Sequence, residues 1–190
     1  LLVATNEKDA ATFKQNVALQ NGLGVPTQLL SGEDVRARLP QMKFPDAIAG
    51  TFNQKDGTVD PNGVVMGYVG AAQKMGVKAI ENAEVTGITV SGGEIKEVQT
   101  NLGTIQTRMV LNVAGPWAAL IGDMAGVKIP IIPLRRQMFT TNPLPEVPED
   151  FPFVIDFAKS LYFHREGEGL LIGMSNQEEK PGFDQNVDED

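Results

Sequence analysis

The sequence contains no cysteine among its 190 residues, and this absence excludes several kinds of chemistry. Disulfide bonds, a thiolate nucleophile and a cysteine-ligated metal site all require a thiol. The absence of cysteine fits a reducing compartment, and we predict a cytoplasmic location. Histidine is almost absent as well, because His164 is the only one. No metal-ligand spacing occurs, and we therefore expect no metal site.

Positive charge and long apolar runs are also scarce. The chain has 16 lysines and arginines against 24 acidic residues, and its formal net charge is −8. Without a basic run that could neutralise phosphates, we expect no nucleic-acid partner. No apolar run approaches the ~20 residues that a bilayer requires, so we expect no membrane span. The chain opens on the apolar Leu1 rather than on an initiator methionine, and we expect it to be an internal fragment of a longer protein.

Three segments carry helix signals. Apolar residues at helical spacing predict a helix over residues 7–19, followed by Asn21 and Gly22. Ser31 and Asp34 are spaced as a capping box ahead of a short second helix. Asp60 followed by a proline predicts the start of a third, amphipathic helix that ends at glycine 76.

Strand signals occupy most of the remaining chain. Short apolar segments predict strands at 1–4, 48–52 and 77–80. An alternating pattern broken by two glycine turns predicts a three-stranded antiparallel meander with strands at 85–90, 95–100 and 104–108. A buried strand is then predicted from Met109 to Val113. Beyond residue 129, frequent prolines separate strand-like pieces at 135–141, 153–155, 161–164 and 170–174.

This order of segments predicts a fold of the α/β class, which becomes α+β when the whole chain is considered. It also predicts two domains. We expect the first domain to cover residues 1–128 and the second to cover residues 129–190 as an antiparallel sheet. Residues 27–60 are the segment that could instead belong to the second domain. The acidic tail after Ser175 is predicted to be a loop or a frayed end.

The most informative segment runs from Met109 to Ala118. A predicted strand meets Gly115 and Pro116, and a helix follows that ends near Gly126. Such a corner would place free backbone N–H groups and the positive end of a helix dipole at the edge of a sheet, which suits a phosphate or a flavin side chain. An ordinary helix start, with Trp117 in the core, accounts for the same residues.

Taken in order, these segments resemble a known family. They comprise residues 83–88 ahead of the meander, 112–118, the basic segment 133–137, 161–163 and 169–173. The chain is similar to the middle section of the FAD-dependent amine oxidoreductases of the D-amino-acid oxidase family. The branch that it resembles contains the sarcosine oxidase beta-subunit, glycine oxidase and dimethylglycine dehydrogenase. The resemblance implies part of a Rossmann-like FAD-binding domain with the meander inserted, followed by part of an antiparallel-sheet substrate domain.

The resemblance also implies roles for individual residues. Contacts with FAD are expected from the main chain of Val85 and from the turn formed by Ala114, Gly115, Pro116 and Trp117. Tyr162 is expected to hold the substrate and is also a catalytic candidate. His164 lies two residues further along the same strand, hence on the same side, and is a candidate acid/base group. Arg136 and Ser175 are further substrate-binding candidates, since a guanidinium binds carboxylates well. For each of these residues a structural role is the simpler alternative.

Two departures from the family pattern affect what the chain can do alone. The G-x-G-x-x-G motif that binds a dinucleotide is missing, because Gly22 and Gly24 lack the third glycine and follow a helix. The glycine-rich segment that closes over the flavin is missing as well. We therefore expect the isolated chain to bind FAD weakly or not at all and to be inactive.

The resulting hypothesis is a flavoenzyme that oxidises a small amine or amino acid, such as sarcosine, glycine, dimethylglycine or a proline-like substrate, by hydride transfer to FAD. Partner subunits in a hetero-oligomer are a further expectation. Two alternatives stay open at this point. One is a flavoenzyme of the glycerol-3-phosphate dehydrogenase type, and the other is a non-catalytic scaffold subunit that keeps the fold. We also expect the Ala114–Trp117 turn and the sheet of Tyr162 to line one flavin-shaped hollow.

Overall fold

The computed structural model describes residues 1–176 and 178–187. The helices are α1 (Glu7–Gly22), α2 (Gly32–Arg38), α3 (Pro61–Lys74) and α4 (Ala118–Met124), with a 3-10 turn at Gly115–Trp117. The strands are β1 (Leu2–Ala4), β2 (Gln28–Ser31), β3 (Ala49–Phe52), β4 (Val85–Ser91), β5 (Glu94–Thr100), β6 (Gly103–Gln106), β7 (Gln137–Thr140), β8 (Val154–Asp156), β9 (Leu161–Glu166) and β10 (Gly169–Met174). This mixture of helices, a mixed sheet and a separate antiparallel sheet confirms the predicted fold class.

The chain forms two compact units, and each unit is built from two segments that are separated in the sequence. Unit 1 contains Leu1–Val59 and Arg136–Gln177, and unit 2 contains Asp60–Arg135 and Glu178–Asp190. The units do not follow the expected boundary at residue 128, because strands from both ends of the chain pair in the sheet of unit 1. Residues 27–60 lie almost wholly in that unit. Which parts bind FAD and which bind substrate stays a prediction.

Unit 1 is built on a seven-stranded sheet with the order β2-β3-β1-β8-β9-β10-β7. Strands β1 and β8 are parallel, and the other neighbouring pairs are antiparallel. The predicted strands at 153–155, 161–164 and 170–174 are confirmed within one or two residues as β8, β9 and β10. The central position of β8 and β9 therefore places the segment from 154 to 166 in the middle of the sheet.

The two faces of this sheet are covered differently. One face carries the main apolar core, in which Val3, Val154 and Phe163 pack with residues of α2 and the loop after it. On the opposite face, α1 packs on the part formed by β1, β2 and β3 and buries Phe13 and Val17. The part of that second face formed by β8, β9, β10 and β7 carries partly exposed side chains, and we call it the open face.

The predicted helix starts are confirmed by their caps. Ser31 and Asp34 form the reciprocal capping box of α2, and the side chain of Asp60 accepts hydrogen bonds from the first turn of α3. The hydrogen bonds from the side chain and the backbone of Ser31 lower the pKa of Asp34. Because a cap depends only on neighbouring residues, these helix starts can be read from the sequence alone.

Unit 2 contains the predicted meander as the sheet β4-β5-β6. Val98 is buried on one side of it. Glu97 accepts hydrogen bonds from Gln106 and Thr89, and these bonds, together with one from Gln99, lower the pKa of its carboxyl group. The alternating pattern therefore predicted both the strands and their antiparallel order.

Two strand predictions in unit 2 are wrong. Residues 77–80 and 109–113 form no strand, although both are apolar. The side chains of Met109, Leu111 and Val113 are at least 80% exposed, so the expected burial is wrong as well. A strand needs a neighbour to satisfy its N–H and C=O groups, and no described strand pairs with either segment.

The described part of the tail, residues 178–187, has no helix or strand, in line with the predicted loop. It is nevertheless held within unit 2 by side-chain contacts. The guanidinium of Arg135 lies 3.2 Å from the carboxylate of Glu179 and donates to the carbonyl of Asn186 at 2.7 Å. Among the described residues, no helix combines the length and the apolar character that crossing a membrane requires.

Candidate active site

The open face of unit 1 brings together Tyr162 and His164, the two residues predicted to act on the substrate. Both lie on β9 and point to the same side, as the two-residue repeat of a strand requires. Tyr162 is paired with Ile155 on one side and with Gly173 on the other. Phe163, between the two polar residues, points into the apolar core. One side of β9 therefore packs in the apolar core, and the other side carries the candidate site.

The phenol ring of Tyr162 lies across Gly173. A Cβ atom built on Gly173 would overlap the ring and the hydroxyl of Tyr162. The absence of a side chain at residue 173 is therefore what lets the ring lie flat on β10. The described residues provide no hydrogen-bond partner for the Tyr162 hydroxyl, although a half-buried phenol favours one. A ligand on this face would find an oriented hydroxyl donor.

His164 is held by a hydrogen bond to its own strand. Its Nδ1 lies 2.8 Å from the carbonyl oxygen of Arg165. A carbonyl oxygen only accepts, so Nδ1 carries the proton and, in the neutral ring, Nε2 carries the lone pair. The carboxylate of Glu166 lies 4.0 Å from Nδ1. This arrangement is suitable for accepting a proton at Nε2.

Phe153 is a residue of this face that the sequence did not single out. Its ring centroid lies 5.4 Å from that of His164 and 6.0 Å from that of Tyr162, with tilts of 39° and 34°. The residue directly precedes β8, so its contact with β9 depends on how the two strands are aligned. The contact between Phe153 and β9 follows from the pairing of Val154 with Phe163. No local sequence pattern predicts this pairing.

The carboxylate on the neighbouring strand is turned away from the candidate site. Asp156 of β8 is buried and accepts hydrogen bonds from the backbone N–H and the Nζ of Lys159, at 3.2 and 2.8 Å. This carboxylate raises the pKa of Lys159. Alternation places Asp156 on the side opposite Ile155 and hence opposite Tyr162. Asp156 therefore stabilises a turn and is no acid/base candidate for the open face.

The two other substrate-binding candidates lie at one end of the same sheet. Ser175 follows β10, and its N–H donates to the carbonyl of Ser160 at 3.3 Å. Arg136 directly precedes β7, and the pairing of Gln137 with Met174 places it next to Ser175. Alternation along β7 puts Arg136 on the side of Met138, which is paired with Gly173. Arg136, Ser175 and Tyr162 thus share one end of the sheet.

In unit 2, the predicted flavin-contacting turn is present but differs from the expected geometry. Gly115 begins the 3-10 turn with φ of 52°, a value that favours glycine, and a Cβ there would meet open space. Asn112 holds the turn together, since its amide donates to the carbonyl of Ala118 at 2.9 Å and its oxygen accepts from Ala114 N–H at 3.2 Å. An asparagine before the turn is a signal that the sequence already offered.

Trp117 does not fill a core, so that structural alternative is wrong. Its side chain is 44% exposed, and its ring stacks on that of Phe183 with centroids 6.1 Å apart. Val85, the other expected flavin contact, begins β4, where its pairing with Thr100 is followed by a β-bulge. Each of these residues could present its main chain or a flat ring to a ligand. Their expected contacts with the flavin stay predictions.

The donor sets fit part of a flavin site. Gly115 leaves its backbone open to close approach, and Trp117 offers an exposed ring. The sequence has no glycine-rich strand-to-helix turn of the kind that binds a pyrophosphate. Among the described residues, no cluster of three or more histidine or acidic side chains could hold a metal ion. The residues present therefore suit the approach of a flavin better than its pyrophosphate.

Comparison with known protein families decides the relationship. The family described as FAD dependent oxidoreductase matches residues 1–190. The chain belongs to this family. It is 32% identical over 178 residues to mitochondrial sarcosine dehydrogenase of Mus musculus, covering 91% of the chain and 19% of that relative. It is also 29% identical over 181 residues to mitochondrial dimethylglycine dehydrogenase of Rattus norvegicus, covering 94% of the chain and 21% of that relative.

A solved structure of this family supports the same relationship. The fold matches the crystal structure of L-proline dehydrogenase from P. horikoshii with a TM-score of 0.85 and 34% sequence identity. The match covers 96% of the chain and 50% of that structure. The chain therefore spans half of the solved relative and about a fifth of the two curated ones.

Proposed function

We propose that the whole protein oxidises a small amine or amino acid by hydride transfer to FAD. The observation that carries this proposal is the open face, where the Tyr162 hydroxyl and Nε2 of His164 point to one side of a strand without described partners. The membership in the FAD dependent oxidoreductase family supports the cofactor. The relatives named for sarcosine, dimethylglycine and proline support an N-substituted amino acid as the substrate class.

Each residue of the open face has a defined part in this reaction. The Tyr162 hydroxyl donates a hydrogen bond to the substrate carboxylate, and the Arg136 guanidinium pairs with the same group. Nε2 of His164 accepts the proton of the substrate ammonium, which frees the nitrogen lone pair. Ser175 adds a hydroxyl at the same end of the sheet.

When bound, FAD supplies the hydride acceptor for the α-carbon. Loss of the hydride from the deprotonated amine leaves an iminium ion, which water then hydrolyses.

The flavin contacts form the second part of the proposal. We infer that the main chain of Val85 and the turn from Ala114 to Trp117 approach FAD. The open space at Gly115 and the exposed ring of Trp117 support this role. That this turn and the face of Tyr162 line one hollow stays a prediction. The absent pyrophosphate motif supports the expectation that the isolated 190-residue chain binds FAD weakly.

The proposal extends to partner subunits and to the cellular compartment. The subunit beta of sarcosine oxidase from Rhodobacter capsulatus is 29% identical over 149 residues, which supports a place in a hetero-oligomer. A cytoplasmic location stays a prediction from the missing cysteines. The two curated dehydrogenases that match the chain carry the word mitochondrial in their names.

The test is anaerobic reduction of the bound flavin in the whole protein. The loss of the visible absorbance of the flavin is the measurement. Sarcosine, dimethylglycine, glycine and proline form one set of substrates, and glycerol 3-phosphate is the competing one. We expect bleaching by one or more amines and none by glycerol 3-phosphate. Bleaching by glycerol 3-phosphate alone would replace the proposal with the alternative flavoenzyme. A flavin that no compound bleaches would favour the scaffold.

A further inference from the structure

Among the described residues, Phe153 is the aromatic side chain whose ring lies near both polar groups of the open face. Val154 is paired with Phe163, so the antiparallel alignment continued by one residue places Phe153 opposite His164 and diagonal to Tyr162. The centroid distances, 5.4 Å to His164 and 6.0 Å to Tyr162, follow that order. Phe153 therefore contacts both residues because of its place in the sheet.

Phe153 and Gly173 lie on opposite sides of Tyr162. Gly173 belongs to β10 and leaves the space over which the phenol ring lies. Phe153 directly precedes β8 and stands diagonal to Tyr162 on the other side of β9, next to Ile155, which is the direct β8 neighbour of Tyr162. The tyrosine ring is thus drawn toward one neighbouring strand and blocked from the other. A gap on one side and a ring on the other select one orientation for Tyr162.

Phe153 also limits the movement of His164. The hydrogen bond from Nδ1 to the Arg165 carbonyl fixes one edge of the imidazole. Rotation about the axis of that bond is opposed by the Phe153 ring, which packs against the imidazole at a tilt of 39°. Nε2, on the far edge of the imidazole, then keeps one direction. Two contacts of different kinds are needed to hold a ring in this way.

We propose that Phe153 is a positioning residue that orients Tyr162 and His164 for binding and oxidising the amine. Its benzyl group can neither transfer a proton nor pair with a carboxylate, so any effect on the reaction acts through the two neighbours. The catalytic part of this inference rests on the proposed function. The structural part rests on the ring geometry alone.

The structural part is tested on the 190-residue chain by proton NMR. His164 is the only histidine, so its imidazole signals need no assignment by mutation. We expect Phe153→Leu to shift these signals and Phe153→Tyr, which keeps the ring, to leave them close to the parent. Phe139→Leu is the matched control, because Phe139 is an exposed phenylalanine of β7 that lies on the other side of the sheet. Should Phe153→Leu not fold, Phe153→Met serves in its place.

The catalytic part is tested in the flavin-loaded whole protein. Loss of orientation lowers the rate of the reacting complex, so we expect Phe153→Leu to reduce kcat by about 10- to 100-fold with a smaller change in KM. Phe153→Tyr should recover most of kcat, and Phe139→Leu should retain the parent value. A fall that Phe153→Tyr does not reverse would show that the ring is not what matters.

The inference is overturned if Phe153→Leu behaves like Phe139→Leu in both measurements. Shifted His164 signals with an unchanged kcat would overturn the catalytic part. A parent protein that oxidises no amine would defeat the proposed function instead. In that case the NMR comparison alone decides whether the Phe153 ring packs against His164.

Discussion

Gly173 shows how one missing side chain can determine the geometry of a candidate site. The ring of Tyr162 occupies the position where a Cβ of residue 173 would stand. Gly173 and Tyr162 are paired across β9 and β10, so the glycine leaves the space that the tyrosine ring occupies. A glycine in a strand is usually unfavourable, and close approach of a neighbouring ring is a reason to retain it.

We predict that Gly173→Ala displaces the Tyr162 ring. The added methyl group overlaps the ring, and such overpacking costs about 1–3 kcal/mol of unfolding free energy. Chemical denaturation measures the cost, and kcat of the flavin-loaded protein should fall with it. Gly57→Ala is the control, because a Cβ at that loop residue meets nothing within 4 Å. Equal stability of the two variants would show that the ring does not lie over residue 173.

The Tyr162 hydroxyl is expected to contribute to substrate binding rather than to stability. Removal of it in Tyr162→Phe should lower kcat/KM by about 10- to 100-fold, since a hydrogen bond to a charged group contributes about 1.5–3 kcal/mol. Steady-state kinetics with an amine substrate provide the measurement. Tyr68→Phe is the matched control, because Tyr68 is the other tyrosine and its side chain is 77% exposed. A loss of the same size in Tyr68→Phe would remove the basis for assigning the effect to the open face.

At the scale of single residues, the sequence predicted on which side of a strand a side chain lies. It did not predict which residues of other strands that side chain contacts. Tyr162 and His164 share a side of β9, as their spacing of two predicts. Their neighbours Phe153 and Gly173 come from β8 and β10, and those contacts depend on pairing between distant segments. Trp117 was open to a core role, yet the structure leaves it half exposed against Phe183. Neighbours along the chain are thus predictable, whereas neighbours across a sheet are not.

At the scale of elements, two glycines of α3 separate helix propensity from capping. Gly67 lies in mid-helix with open space where a methyl group would stand, so Gly67→Ala should raise the unfolding free energy by about 1 kcal/mol. A methyl group on Gly63 would come within 2.7 Å of the Asp60 carboxylate that caps the helix. Gly63→Ala should therefore gain less, because the cap must rotate away. Thermal unfolding of both variants provides the comparison, and equal gains would refute the role of the cap.

The capping box of α2 should make stability depend on pH. Hydrogen bonds from Ser31 lower the pKa of Asp34 in the folded chain below its ordinary value of 3.8. A carboxyl group with a lowered folded pKa stabilises the fold above its unfolded pKa and loses that effect as the pH falls through the folded pKa. The difference in unfolding free energy between the parent and Asp34→Ala should therefore be constant near neutral pH and shrink below pH 3.8. A difference that persists in acid would contradict this account.

Elements defined by local signals were predicted well, and those defined by distant partners were not. The caps at Ser31 and Asp60 and the turns of the meander depend on a few adjacent residues. The predicted strands at 77–80 and 109–113 are apolar enough to pair, but the described chain offers them no neighbouring strand. Hydrophobicity alone therefore identified segments that favour burial without showing what would bury them.

At the scale of the whole molecule, pairing between the two ends of the chain determines the architecture. Strand β1 lies between β3 and β8, so residues near the start of the sequence complete the sheet that carries Tyr162. A single division at residue 128 could not anticipate this, because the chain changes compact unit after residue 59 and again after residue 135. The order of strands in a mixed sheet is a property of the whole chain.

The exposed segment from Met109 to Val113 provides the last test. Because Leu111 is 84% exposed, Leu111→Ser should change the unfolding free energy by less than about 0.5 kcal/mol and should reduce the binding of an apolar dye. Val98→Ser, in the buried side of the meander of the same unit, should cost about 2 kcal/mol or more, since it removes apolar contacts and buries a hydroxyl. A loss in Leu111→Ser as large as that in Val98→Ser would mean that the segment is buried as a strand after all, as its sequence alone predicts.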